Sequence, residues 1–180
     1  MRKVRILSGN RLFAISFLFI SAIIGLTSVY AADIGEAEKV LGVKGQMQEG
    51  AVVFSFPRSD IKVKIDGEPV PTALGFGSWT AWKAMGDEFM VMGDLVLLEK
   101  EINPVISALA EANINVTAIH NHFLGENPRI MYMHIGSMGT VSTLSKGIRN
   151  ALDKTATPKK PTSASAPALA LDTKRIEEII

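Results

Sequence analysis

Apolar residues recur along this chain at two spacings, and the spacings sort it into elements. Val52, Phe54 and Phe56 alternate with smaller or polar residues in AVVFSF, the period of a half-buried strand over Ala51–Phe56. Ile61–Ile65 (IKVKI) alternates with lysines, and Pro57-Arg58-Ser59-Asp60 between the two runs predicts a hairpin. Loop signals fill 66–77, including Pro69 and Pro71, before two further strands at Ser78–Ala84 and Glu88–Leu98. Ile102, Val105, Ile106 and Leu109 follow the helical spacing and predict an amphipathic helix over Glu99–Asn113, with Asn103 as N-cap and Pro104 in its first turn. Asn115–Leu124 and Arg129–Gly136 predict a second hairpin, followed by a final helix at Thr140–Leu152, while a short helix at Ile34–Leu41 (N-cap Asp33) opens the domain. Most strands are joined by turns too short for parallel crossovers. The expected fold is α+β, a largely antiparallel sheet with helices packed on one face.

The first 31 residues read differently. Arg2, Lys3, Arg5 and Arg11 precede an apolar run, Leu12–Leu26, and Val29-Tyr30-Ala31 places small residues where a signal peptidase reads. This predicts a signal peptide over 1–31, with a retained membrane anchor as the alternative; the run is short of the roughly 20 residues of a spanning helix. The expected destination is periplasmic or secreted, with no stable membrane span after cleavage. Four of the 19 basic residues precede the cleavage point and all 18 acidic residues follow it. That leaves 15 against 18, a net charge of about −3, without a basic patch interleaved with aromatics to suggest nucleic acid. Cysteine is absent, which excludes disulfides and an N-terminal lipidated cysteine.

Candidate chemistry concentrates in Ile119–Gly136 (IHNHFLGENPRIMYMHIG), which holds all three histidines of the chain, His120, His122 and His134. His120 and His122 share a strand face. A turn centred on Asn127 sets His120 opposite His134 and His122 opposite Tyr132, with Ala118 and Gly136 leaving space beside them. Directly opposed Cβ atoms lie roughly 4.5–5.5 Å apart, close enough for imidazoles to share a metal. Ile119, Phe123, Met131, Met133 and Ile135 fall on the opposite, core-facing side, and Asn121 goes with them. Three neutral imidazoles with an open position suit Zn, Cu or Fe. Glu126 at the turn is a candidate general base, and Asn121, Arg129, Tyr132 and Trp79 are candidate ligand-binding residues. The same residues are also compatible with a metal-free polar pocket or with histidines that only hydrogen-bond in a sheet.

Met131, Met133 and Met138 flank His134, and Met90 and Met92 repeat the alternation elsewhere. Thioethers are soft ligands for Cu(I), but Met131 and Met133 lie on the core side in this register and read as packing. Trp79 and Trp82 are three apart on a strand, so one faces the core and the other a pocket or partner. No G-x-S-x-G elbow or phosphate-binding glycine fingerprint is present.

Residues 32–153 are the expected domain, and 154–170, with the Pro-, Ser- and Ala-rich ATPKKPTSASAPALA, a flexible linker. The following LDTKRIEEII is similar to ADIGEAEKVL near residue 32. This predicts that 171–180 begins a second, truncated copy of the domain; an ordinary capped helix is the alternative.

PRSDIKVKIDG, LGFGSWTAWKA, MGDLVLLEKEINPVISAL and VTAIHNHFLGENPRIMYMHIG together resemble the LppY/LpqO family of exported bacterial proteins, a domain of unknown function. The resemblance covers Ile34–Leu152, with the histidine segment its most distinctive part. It implies export and, since some members carry two copies, fits the tail reading. The members that give the family its name are described as lipoproteins; without cysteine, lipid attachment does not carry over. For His120, Asn121, His122, Pro128, Arg129 and His134 the resemblance implies a family motif and no activity. Three functions follow: an exported protein binding a metal ion or small ligand on the histidine face, a metal-dependent hydrolase or oxygenase using the same residues, and a cell-envelope interaction module without metal.

Overall fold

The computed structural model describes residues 34–159. The predicted signal peptide and the tail that resembles a second copy lie outside the described residues. Helix α1 (34–41) is followed by strands β1 (Gln46–Gln48), β2 (Ala51–Pro57), β3 (Val63–Ile65), β4 (Glu68–Val70), β5 (Gly77–Met85) and β6 (Glu88–Leu98). Then come α2 (Ile102–Glu111), β7 (Asn115–His120), β8 (Glu126–Asn127), β9 (Ile130–Gly139) and α3 (Val141–Leu152). Six strands form an antiparallel sheet in the order β1-β2-β5-β6-β9-β7, and three form a small second sheet, β4-β3-β8. The protein is α+β with a dominant antiparallel sheet.

One face of the large sheet is covered by all three helices. Phe54, Trp82, Val91, Leu95, Met133 and Ile135 pack there against Leu41, Val105, Leu109, Leu144 and Ile148. Each such side chain contributes roughly 1.5–3 kcal/mol when fully buried. Among the described residues the other face is covered at one end, where Val96, Ile130 and Tyr132 meet Ile61, Val63 and Phe76. Strand β6 is therefore buried on both sides over Leu95–Leu97, which explains its unbroken apolar run, and on one side only at Met90–Asp94. Nothing among the described residues covers the rest of that outer face. Among the described residues no helix is long and apolar enough to cross a membrane.

The first expected hairpin does not form. β2 pairs with β1 and β5, while β3 leaves for the second sheet. Where the hairpin turn was expected stands Arg58, which is fully buried just after β2. Its guanidinium donates to Val96 O at 2.6 Å, to both oxygens of Glu101 at 2.8 and 3.1 Å, and to Asp60 at 2.8 and 2.9 Å. Burial by itself would lower its pKa; the bonds to Asp60 and Glu101 more than reverse this. The chain at PRSD is thus turned inward around a charge network instead of back along β2.

Glu101 also corrects the expected start of α2. Its carboxylate accepts the Leu98 N–H at 2.9 Å, a tight turn covers Glu99–Glu101, and Glu101 itself occupies the N-cap, leaving Asn103 inside the first turn beside Pro104. Thr140, by contrast, caps α3, its Oγ1 accepting the Thr143 N–H at 3.3 Å. Residues 154–159, read from sequence as the start of a linker, lie against the domain: Thr157 is buried and the Ala156 N–H donates to Glu101 at 3.4 Å.

Candidate functional site

The open part of the outer sheet face is where the histidines lie. Strand alternation puts Asp94 (β6) and His134 (β9) on this face as direct partners, with Trp79 (β5) beyond Asp94 and Ala118 (β7) beyond His134. The next row holds Val96, Tyr132 and His120. β7 and β9 are offset by two residues from the expected register: His134 opposes Ala118, and His120 opposes Tyr132. An even slip preserves faces, so His120 still meets His134, now diagonally. Their Nε2 atoms are 3.0 Å apart and the rings cross edge to face at 4.8 Å.

His122 is not on a strand, because β7 stops at His120. Its ring nevertheless stacks on Tyr132, with centroids 3.5 Å apart and planes 11° apart, and on His120 at 4.9 Å. The face therefore presents His120 and His134 nitrogen to nitrogen, with His122 stacked alongside and exposed. Phe123, expected on the helix-covered side, instead packs with Phe76 in the second cluster, since the chain has left the sheet. Ile119 does face the helix side but is half exposed, because β7 is an edge strand.

What replaces the expected turn is a loop, 121–129, that crosses to the second sheet, where Glu126 and Asn127 pair with Ile65 and Lys64. Gly125 makes the crossing at φ +71°, a left-handed conformation in which any residue with a Cβ is strained. Asn121 and Glu126 hold the loop. The Asn121 amide donates to Phe123 O at 2.6 Å and to Glu126 at 3.3 Å, and Glu126 accepts the Ile130 N–H at 2.9 Å. Arg129 is remote from this face and lines a shallow hollow with Leu98, Lys100 and Pro128. Trp82 is buried with its N–H on Thr80, whereas Trp79 is 40% exposed and lines a hollow of about 500 Å³ with Val53, Ser55 and Pro57.

Sequence reasoning missed Asp94, although a carboxylate in the middle of EFMVMGDLVLL was a usable signal. Its side chain is 15% exposed, and Oδ2 lies 3.8 Å from His134 Nε2. Burial pushes its carboxyl up from the usual value, and the His134, His122 and His120 charges pull it back only in part. Tyr132 is pushed up to about 12, by burial first and then by the Glu126 and Asp94 charges. Asp94 Oδ1, Glu126 Oε2 and the Tyr132 hydroxyl are buried without a hydrogen-bond partner among the described residues. Such orphans are uncommon and concentrate where a ligand or ion belongs.

Two nitrogens bound to one metal at 2.0–2.1 Å are separated by about 2.9–3.4 Å for the usual bond angles. The 3.0 Å between His120 and His134 lies in that range and also suits an N–H···N hydrogen bond. Among the described residues no three His, Asp or Glu side chains already stand as a complete metal site; Asp94 is the carboxylate nearest to completing one. No curated protein and no solved structure matches the chain. Residues 35–154 match the family described as Domain of Unknown Function (DUF1259), and the chain belongs to that family.

Proposed function

We propose that this is an exported protein of the LppY/LpqO type whose open sheet face binds a divalent transition-metal ion through His120, His134 and Asp94. The observation that carries the reading is the pair of Nε2 atoms 3.0 Å apart beside a largely buried carboxylate with one unpartnered oxygen. Two imidazoles and a carboxylate on one face leave further coordination positions open to solvent, a donor set suited to Zn(II), Fe(II) or Cu(II). The reading requires a side-chain rotation that brings an Asp94 oxygen closer to the two imidazoles than its present 3.8 Å from His134 Nε2. His122 is a flanking residue in this reading, held by its stack on Tyr132. Glu126 braces the loop through Ile130 and Asn121 and is not assigned as a base. Export rests on the basic, apolar and small-residue order of the first 31 residues.

The test is calorimetric titration of the full chain, without a histidine tag and stripped with chelator, with Zn(II) and Cu(II). One ion per chain is expected, with binding lost in His120→Ala/His134→Ala and largely kept in His122→Ala. Absence of binding in the parent protein, or its persistence in the double variant, overturns the proposal.

A further inference from the structure

Two residues along the strands from Asp94 and His134, the same face changes chemistry. Met90 on β6 is the direct partner of Met138 on β9, and Met92 follows two residues on, on the same face. Met92 and Met138 are 59% and 53% exposed. Large apolar side chains on an open sheet face call for an explanation when they come as one type in one place. Here three methionines share one face across two adjacent rows of the sheet. Met92 is paired with Gly136, where an added Cβ would find nothing closer than 3.8 Å, so the floor between Met92 and Met138 is open. Ala81, the partner of Met92 on the other side, is small as well.

The distances follow from sheet geometry. Opposed Cβ atoms such as those of Met90 and Met138 are about 4.5–5.5 Å apart, and same-face neighbours on a strand, such as Met90 and Met92, about 7 Å. A methionine has three rotatable bonds beyond Cα, enough for three sulfurs to meet above Gly136. The contrast with Met133 is direct, since that side chain is fully buried in the helix-covered core.

We propose that Met90, Met92 and Met138 form a second, soft-metal site that takes Cu(I), or Ag(I) as its analogue, by thioether coordination. Thioether sulfur is a soft, uncharged donor that selects monovalent copper over hard cations. It carries no proton to lose across the ordinary pH range. Lys83, the β5 partner of Met90, is the nearby cation, and its long side chain reaches to solvent. The site does not depend on the histidine reading: its donors are different side chains, one row (Met92) and two rows (Met90 and Met138) away.

The test titrates the full chain with Cu(I), kept reduced with ascorbate, against a chromophoric Cu(I) chelator, and repeats the titration with Ag(I). Met→Leu changes keep volume and sit on a solvent-facing surface, so the triple variant Met90→Leu/Met92→Leu/Met138→Leu is expected to fold with an unchanged circular dichroism spectrum. One Cu(I) per parent chain is expected, with affinity falling at least about 100-fold in the triple variant and essentially unchanged in His120→Ala/His134→Ala. X-ray absorption of the copper-loaded parent should show sulfur neighbours. Failure of the parent to take up Cu(I), equal affinity in the triple variant, or loss in the histidine variant instead would each overturn the proposal. The histidine variant's response to Zn(II) reads the other site separately.

Discussion

Replacing Asp94 by asparagine separates what this residue does for the fold from what it does for the site. Its carboxylate is 15% exposed, Oδ1 has no hydrogen-bond partner among the described residues, and the His134 nitrogen at 3.8 Å is too far to donate. A buried polar atom left unmatched costs about 1–3 kcal/mol. Asparagine keeps the shape and removes the charge, so Asp94→Asn should be more stable than the parent by about 1 kcal/mol at pH 7, the low end because the amide is partly buried too. The sign with pH follows from the raised pKa of Asp94. A group raised in the fold is favoured there in its protonated form. That stability is complete below the unfolded value, about 3.9, and is lost as pH rises through the folded one. The advantage of the Asp94→Asn variant over the parent should therefore be largest at neutral pH and shrink toward zero near pH 3. Urea denaturation of both proteins with chelator at the two pH values measures it. The same variant should lose at least about tenfold in Zn(II) affinity. If Asp94→Asn is less stable than the parent at pH 7 in chelator, the carboxylate is a stabilising partner of the histidines, and the reasoning fails.

Arg58→Met should cost about 3–5 kcal/mol, because it strands the Glu101 carboxylate, which is buried, without its guanidinium; adding Glu101→Gln should recover part of this, as urea midpoints will show. Gly147→Ala sets two effects against each other. Helix propensity favours Ala by about 1 kcal/mol, but the new Cβ would stand 2.5 Å from the Ala112 Cβ and 2.9 Å from Ile114. Neither Ala112 nor the backbone carrying it can move aside cheaply, so overpacking wins and thermal denaturation should show a lower Tm.

Element type was legible wherever the apolar period ran long enough. β2, β5, β6, α2 and α3 lie where the spacing puts them, because a face that must be buried writes its period into the chain. Strand alternation likewise separated Trp79 from Trp82, and His134 from Met133, without any knowledge of partners. The Asp66-Gly67 turn, which joins Ile65 to Glu68 with both residues at positive φ, was also written there as a two-residue hairpin signal and was read as loop.

What the tertiary structure alone decided is which strands are neighbours. The PRSD segment that was to turn β2 back onto β3 instead places Arg58 on Glu101, a partner 43 residues away, and no local pattern encodes such a pair. The two-residue offset of β7 against β9 comes from the loop 121–129, which leaves to pair with β3. Asp94 joined the site only because β6 lies between β5 and β9, since a strand's period fixes the face of a side chain but not the strand beside it. The histidine cluster was visible as a composition of residues; its carboxylate and its neighbouring methionines are a product of sheet order.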